Sequence, residues 1–150
     1  MNPTIRLATK SDADAIAPLF DQYRQFYGRP PDLERAHKFI SERLKKSESV
    51  ILVAEDAGKL LGFVQLFPSF TSLETGRLWV LNDLYVSPEG RGQGIGRKLM
   101  NAAREHAEKT GAKQITLETM DDNRVAWSLY ESLGYKRNHP AVRFYTLHLD

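Results

Sequence analysis

One stretch constrains the fold of this chain more than any other: an apolar strand, a turn with four glycines in seven residues, and an amphipathic helix, in that order. Leu78 to Val86 reads as the strand, and Ser87-Pro88-Glu89-Gly90 ends it. Gly90, Gly92, Gly94 and Gly96 then alternate with other residues. From Gly94 to Thr110 apolar residues recur at helical spacing, with Ile95, Leu99, Ala102, Ala103, His106 and Ala107 on the inner face and Gly111 as the stop. Gln114 to Met120 reads as the next strand. Strand, turn, helix and strand in succession point to a mixed α/β architecture.

The flanking segments extend that pattern. Thr4 to Ala8 suits a short strand, and Ser11-Asp12 offers a cap to a helix carrying Ile16, Leu19, Phe20, Tyr23, Phe26 and Tyr27. Gly28 and Pro30-Pro31 forbid its continuation, and Asp32 can cap a second helix. Val50 to Ala54 and Leu60 to Phe67 read as antiparallel partners across Asp56-Ala57-Gly58-Lys59, and Pro68 to Gly76 reads as a loop. Asn123 caps a last helix through Leu133, and two closing strands are predicted at 135–138 and 142–149. The order is β-α-α-β-β-β-α-β-α-β-β, with no linker or repeat, and residues 1–150 read as one domain.

Composition narrows the function classes. With 41% hydrophobic and 27% charged residues the chain is expected to be soluble and ordered. No apolar run approaches the roughly 18 residues of a membrane span, and the first residues do not resemble a secretory leader, so a cytoplasmic protein is expected. A net charge of +2 without a block of like charges gives no reason to expect nucleic acid as a partner. Cysteine is absent, which removes disulfides, thiolate metal sites and any acyl-cysteine intermediate. The histidines at 37, 106, 139 and 148 show no metal-ligand spacing, and no metal is expected.

The glycine turn carries the chemistry. A helix starting near Gly94 turns free N–H groups and the positive end of its dipole toward Arg91-Gly92-Gln93-Gly94-Ile95-Gly96. Glycines let a bulky anion approach that backbone, as a phosphate requires. The Walker pattern fails because Arg97-Lys98-Leu99 follows Gly96, and the dinucleotide spacing fails because position 97 is Arg.

Leu84-Tyr85-Val86-Ser87-Pro88-Glu89-Gly90-Arg91-Gly92-Gln93-Gly94-Ile95-Gly96 resembles the acetyl-CoA-binding motif of the Gcn5-related N-acetyltransferase (GNAT) superfamily. Asn123-Arg124-Val125-Ala126-Trp127-Ser128-Leu129-Tyr130-Glu131-Ser132-Leu133-Gly134-Tyr135 resembles that superfamily's second signature, in the same order and spacing. The resemblance implies a central twisted, mostly antiparallel sheet flanked by helices on both faces. It implies acetyl-CoA as co-substrate, direct transfer to an amine in a ternary complex, and often a homodimer. The pyrophosphate would lie on Arg91, Gly92, Gln93, Gly94, Ile95 and Gly96, and backbone N–H groups of Leu84, Tyr85 and Val86 would polarise the thioester carbonyl. Asn123, Ala126 and Tyr130 share one helix face, with Tyr130 in the place of the proton donor to the departing thiolate. Val125, Leu129 and Leu133 should form a core face.

On the acceptor side, Asn82-Asp83 interrupts an apolar strand, and such breaks concentrate at sites. The segment is similar to Hpa2-like and diamine or polyamine N-acetyltransferases, where acidic residues on this strand attract a cationic amine. Asp83 matches one such position, while Asn82 stands where that subgroup commonly has Glu. Asp83 and Glu118 are the candidate bases. A non-catalytic acyl-CoA sensor and a protein lysine acetyltransferase are the alternative readings.

Overall fold

A computed structural model describes residues 2–149. The chain forms two compact units, one up to Glu118 and one from Thr119. The first holds a five-stranded sheet in sequence order: β1 (Thr4–Leu7), β2 (Val50–Asp56), β3 (Lys59–Thr71), β4 (Gly76–Val86) and β5 (Gln114–Thr116). Its first three pairings are antiparallel, and β4 and β5 run parallel.

Period-two alternation sends successive side chains to opposite faces of this sheet. Ile51, Val53, Phe63 and Tyr85 join one buried cluster with Ile16, Leu19 and Phe20 of α1 (Ala13–Phe26) and Ala36, Ile40 and Leu44 of α2 (Leu33–Lys45). Gly62, next to Phe63, faces the other way, and there Leu99 of α3 (Ile95–Lys109) packs on the strand. The helices therefore cover both faces, as expected. Asp32 accepts from the Arg35 N–H at 3.1 Å and caps α2. Asp12 does not cap α1 through its side chain; its carboxylate turns back to the Thr9 N–H (2.7 Å) and to Arg6 (2.9 Å).

Two expectations are corrected in the sheet. Residues 68–76 are not mainly loop: β3 and β4 stay paired out to Thr71 opposite Gly76. Pro68 is tolerated inside β3 because the pairing with β2 ends at Leu66, so the missing N–H disrupts no second ladder. At the other end, β5 stops at Thr116 rather than Met120.

The second unit contains α4 (Arg124–Ser132), capped by the Asn123 side chain on the Ala126 N–H at 3.3 Å. Neither closing strand, 135–138 or 142–149, forms among the described residues; that stretch is irregular. Alternation gives a segment strand propensity, but a strand exists only where a partner completes its ladder. Val125, expected in a core face, is exposed on the first turn of α4, whereas Leu129 and Leu133 are half-buried.

Candidate active site

The polar break in β4 is a β-bulge. Gln65 pairs with Asp83 and Leu66 with Leu81, which leaves Asn82 as the extra residue. The bulge keeps both Leu81 and Asp83 buried and pushes Asn82 to the surface. Asp83 thereby joins Phe63 and Tyr85 on the face covered by α1 and α2, at 4% exposure.

Neutral donors surround its carboxylate. Gln65 Nε2 donates to Oδ2 at 2.6 Å, and Asn82 Nδ2 donates to Oδ1 at 3.0 Å. The Tyr23 hydroxyl, from α1, hydrogen-bonds the carboxylate and lies 3.3 Å from the Asn82 carbonyl oxygen. Burial pushes the Asp83 carboxyl above the usual carboxylate range, and the hydrogen bonds from Gln65, Tyr23 and Asn82 oppose that rise. Aromatic rings stand around it: Tyr23 meets Tyr27, Phe63 and Tyr85 edge-on, with centroids 5.0, 6.1 and 6.4 Å apart. The Tyr27 phenol is raised by burial and then by the negative charge of Asp83, so the two are electrostatically coupled.

The other end of β4 leads into the glycine turn. β5 pairs with β4 only at Leu78 to Val80, so no strand of this unit covers that edge alongside Leu84, Tyr85 and Val86. Pro88–Gly90 makes a 3-10 turn after the strand, with Gly90 buried where an added Cβ would meet Ile95, Val86 and Leu61 at 3.1–3.3 Å. Gly92 and Gly94 both have φ +76°, and Gly94 is the residue from which α3 starts. A Cβ on either would enter open space, so packing within the protein does not require these glycines. Their conformation and the clear space above them fit an anion resting on the start of α3.

Neighbouring side chains brace this loop. Arg91 donates from Nε to the Val86 carbonyl at 3.0 Å, and its guanidinium lies 5.5 Å from the Tyr85 ring centre. Gln93 donates from Nε2 to the Glu89 carbonyl at 3.1 Å. Ile95 is buried under the loop and Gly96 lies in the first turn of α3.

Asp83 and the glycine turn thus belong to one strand and its exit. Glu118 does not share that setting: it lies two residues past β5 and is exposed. In the second unit Tyr130 is buried on α4, 6.2 Å from the Tyr135 ring, with Asn123 and Ala126 half-buried on the same helix. Trp127 donates from its indole to the Asp121 carbonyl at 3.0 Å, a bond that ties α4 to the segment before it. His106 packs on Trp79, with ring centres 5.3 Å apart, and burial lowers its pKa.

Sequence reasoning did not single out Gln65 or Ser49. Gln65 is fully buried, and its Oε1 accepts from the Ser49 hydroxyl at 2.8 Å. The signal was present: Gln65 is the sole polar side chain between Leu60 and Phe67, the same kind of break that drew attention to Asp83.

Comparison with known proteins places the whole chain rather than its individual residues. The chain is 49% identical to the uncharacterized N-acetyltransferase YhfO of Bacillus subtilis (strain 168) over 140 residues, 93% of this chain and 94% of that one. It superposes on the crystal structure of a probable acetyltransferase with a TM-score of 0.91 and 41% identity, covering 98% of each chain. The thialysine N-epsilon-acetyltransferase of Mus musculus matches over 88 residues at 38% identity, 59% of this chain and 52% of that protein. The family model for the acetyltransferase (GNAT) family matches residues 14–135. With the family model spanning most of the chain and a relative 49% identical over nearly its whole length, the chain belongs to the GNAT family and is an N-acetyltransferase.

Proposed function

We propose that this enzyme acetylates the primary amine of a small cationic molecule, by direct attack of the amine on acetyl-CoA in a ternary complex. The observation that carries this reading is Asp83: a buried carboxylate, ringed by aromatic side chains, whose hydrogen-bond partners are all neutral. A buried carboxylate is strongly disfavoured without a counter-charge. An ammonium group entering beside it would supply that charge. The partial match to thialysine N-epsilon-acetyltransferase supports an amine acceptor of this kind.

GNAT enzymes generally use acetyl-CoA, and the clear space at Gly92 and Gly94 fits its pyrophosphate. Bound there, acetyl-CoA supplies an activated thioester. Arg91 and Gln93 hold the turn in shape, and the backbone from Leu84 to Val86, uncovered by β5, offers N–H groups to a developing oxyanion. Asp83 takes a proton from the ammonium group and so frees the nitrogen lone pair. Glu118 is the alternative base. Tyr130 protonates the departing sulfur, with Asn123 and Ala126 beside it on the motif helix; this assignment rests on the family signature those residues occupy.

The test is an acceptor screen with acetyl-CoA, reading CoA release across polyamines, amino acids, aminoglycosides and lysine peptides. The proposal expects a small cationic amine to give the highest kcat/KM, and Asp83→Asn to raise that amine's KM and lower turnover with acetyl-CoA binding unchanged. A preference for peptides, or normal amine kinetics in Asp83→Asn, would reject it.

A further inference from the structure

The buried polar groups on the α1/α2 face of the sheet form a chain of three. The Ser49 hydroxyl donates to Gln65 Oε1 at 2.8 Å, and Gln65 Nε2 donates to Asp83 Oδ2 at 2.6 Å. All three residues are less than 10% exposed, and Gln65 is fully buried. Around them the same face carries Ile51, Val53, Phe63 and Leu60, so Gln65 is a polar side chain in an otherwise apolar setting, and what it meets there is Ser49 and Asp83. Packing therefore does not explain Gln65.

The chain does have a direction. An amide has a donating end and an accepting end. Because the Ser49 hydroxyl occupies the accepting end, the NH₂ end is the one presented to Asp83. The register reinforces this, since Gln65 stands directly opposite Asp83 in the β3–β4 ladder. A fixed donor on one carboxylate oxygen orients the group and favours its ionised form, the form that can accept a proton.

We propose that Gln65, held in orientation by Ser49, is a positioning residue that aims the Asp83 carboxylate and keeps it able to take the proton of the incoming amine. The inference rests on the reading of Asp83 as the acceptor-side base. In that step an N–H bond of the ammonium breaks, an O–H bond forms on Asp83, and the freed nitrogen lone pair attacks the acyl carbonyl. The groups facing Asp83 are Tyr23 from α1, Tyr27 just past its end, Gln65 from β3, and Asn82 and Tyr85 from β4. Arg91 reaches this row only at the Tyr85 hydroxyl, 3.4 Å away. Phenols titrate far above a carboxyl raised by burial, and a limb set by the amine itself is common to wild type and variants, so a limb that moves with Gln65 or Ser49 is that of Asp83.

The experiment is the pH dependence of kcat/KM for the best small amine, in wild type, Gln65→Leu, Ser49→Ala and Asp83→Asn. Gln65→Leu should move the acid limb upward by about 1–2 pH units, the value of one hydrogen bond to a charged group. Ser49→Ala should move it in the same direction by less, because the amide is then free to turn over. The KM for acetyl-CoA should stay within about twofold in both. If Gln65→Leu does not fold, the milder Ser49→Ala decides. An unmoved limb in Ser49→Ala and in any folded Gln65→Leu overturns the inference. Normal amine kinetics in Asp83→Asn would instead remove the reading of Asp83 on which it rests, so the two failures are distinguishable.

Discussion

Gly94→Val separates what the glycine turn does for the fold from what it does for a ligand. Gly94 has φ +76°, and a Cβ built on it meets no heavy atom within 4 Å. A Cβ there therefore meets nothing inside the protein, and the main cost to the fold is the backbone conformation. A side chain in the left-handed region costs about 1–2 kcal/mol, and a β-branched one stands at the upper end of that range. The cost to cofactor binding has another source. Valine would occupy the clear space above the start of α3 and hold a pyrophosphate away from the backbone N–H groups. Lost hydrogen bonds to a charged group and steric conflict together amount to about 2–4 kcal/mol, or about 30- to 1000-fold in Kd for CoA. Isothermal titration with CoA and urea unfolding read the two effects separately. Gly111→Val is the control, since Gly111 has φ +73°, equally open surroundings, and a place at the far end of α3. It should lose similar stability and bind CoA normally. A folded Gly94→Val protein with wild-type CoA affinity would refute the assignment of the turn as the pyrophosphate cradle.

Other substitutions test other parts of the molecule. Gly62→Ala should destabilise by about 1–3 kcal/mol, seen as a lower urea midpoint, because its Cβ would stand 2.7 Å from the Tyr85 carbonyl oxygen with Leu99 closing the other side; an unchanged midpoint contradicts the packing described. The Asp83 carboxyl is raised in the folded state, so its contribution to stability is fully present below the unfolded-state pKa, near 3.9, and is lost as pH rises through the higher folded value. Asp83→Asn lacks that loss: its unfolding free energy, measured by urea from pH 4 to 8, should fall less with rising pH than the wild type's, and parallel curves would show that Asp83 titrates normally. Tyr130→Phe keeps the ring and removes the proton, and should lower turnover about 10²–10⁴-fold with little change in the KM for acetyl-CoA; a fall of less than about threefold at neutral pH assigns the hydroxyl a structural role.

Much of this protein is legible in its sequence because the rules involved are local. The helix from Ile95 to Lys109 and its glycine start, the Asp32 and Asn123 caps, and the tight turn before Lys59 all follow from residues within a few positions of one another. Asp83 was legible for the same reason, as a charge in an apolar run. Its surroundings were not. That Asn82 is the bulged residue, that Gln65 lies opposite Asp83, and that Ser49 fixes the end Gln65 presents depend on register between β3 and β4 and on the chain entering β2. Register is set by pairing between segments far apart in sequence, and a shift of one residue would turn Asp83 to the face covered by α3. The same limit explains the closing strands, where alternation from Val142 to Leu149 carried a propensity but could not name a partner. Sequence determined which segments bend, cap and bury; only the tertiary structure decided which buried polar groups meet, because hydrogen-bond partners across a sheet are chosen by packing and not by neighbours along the chain.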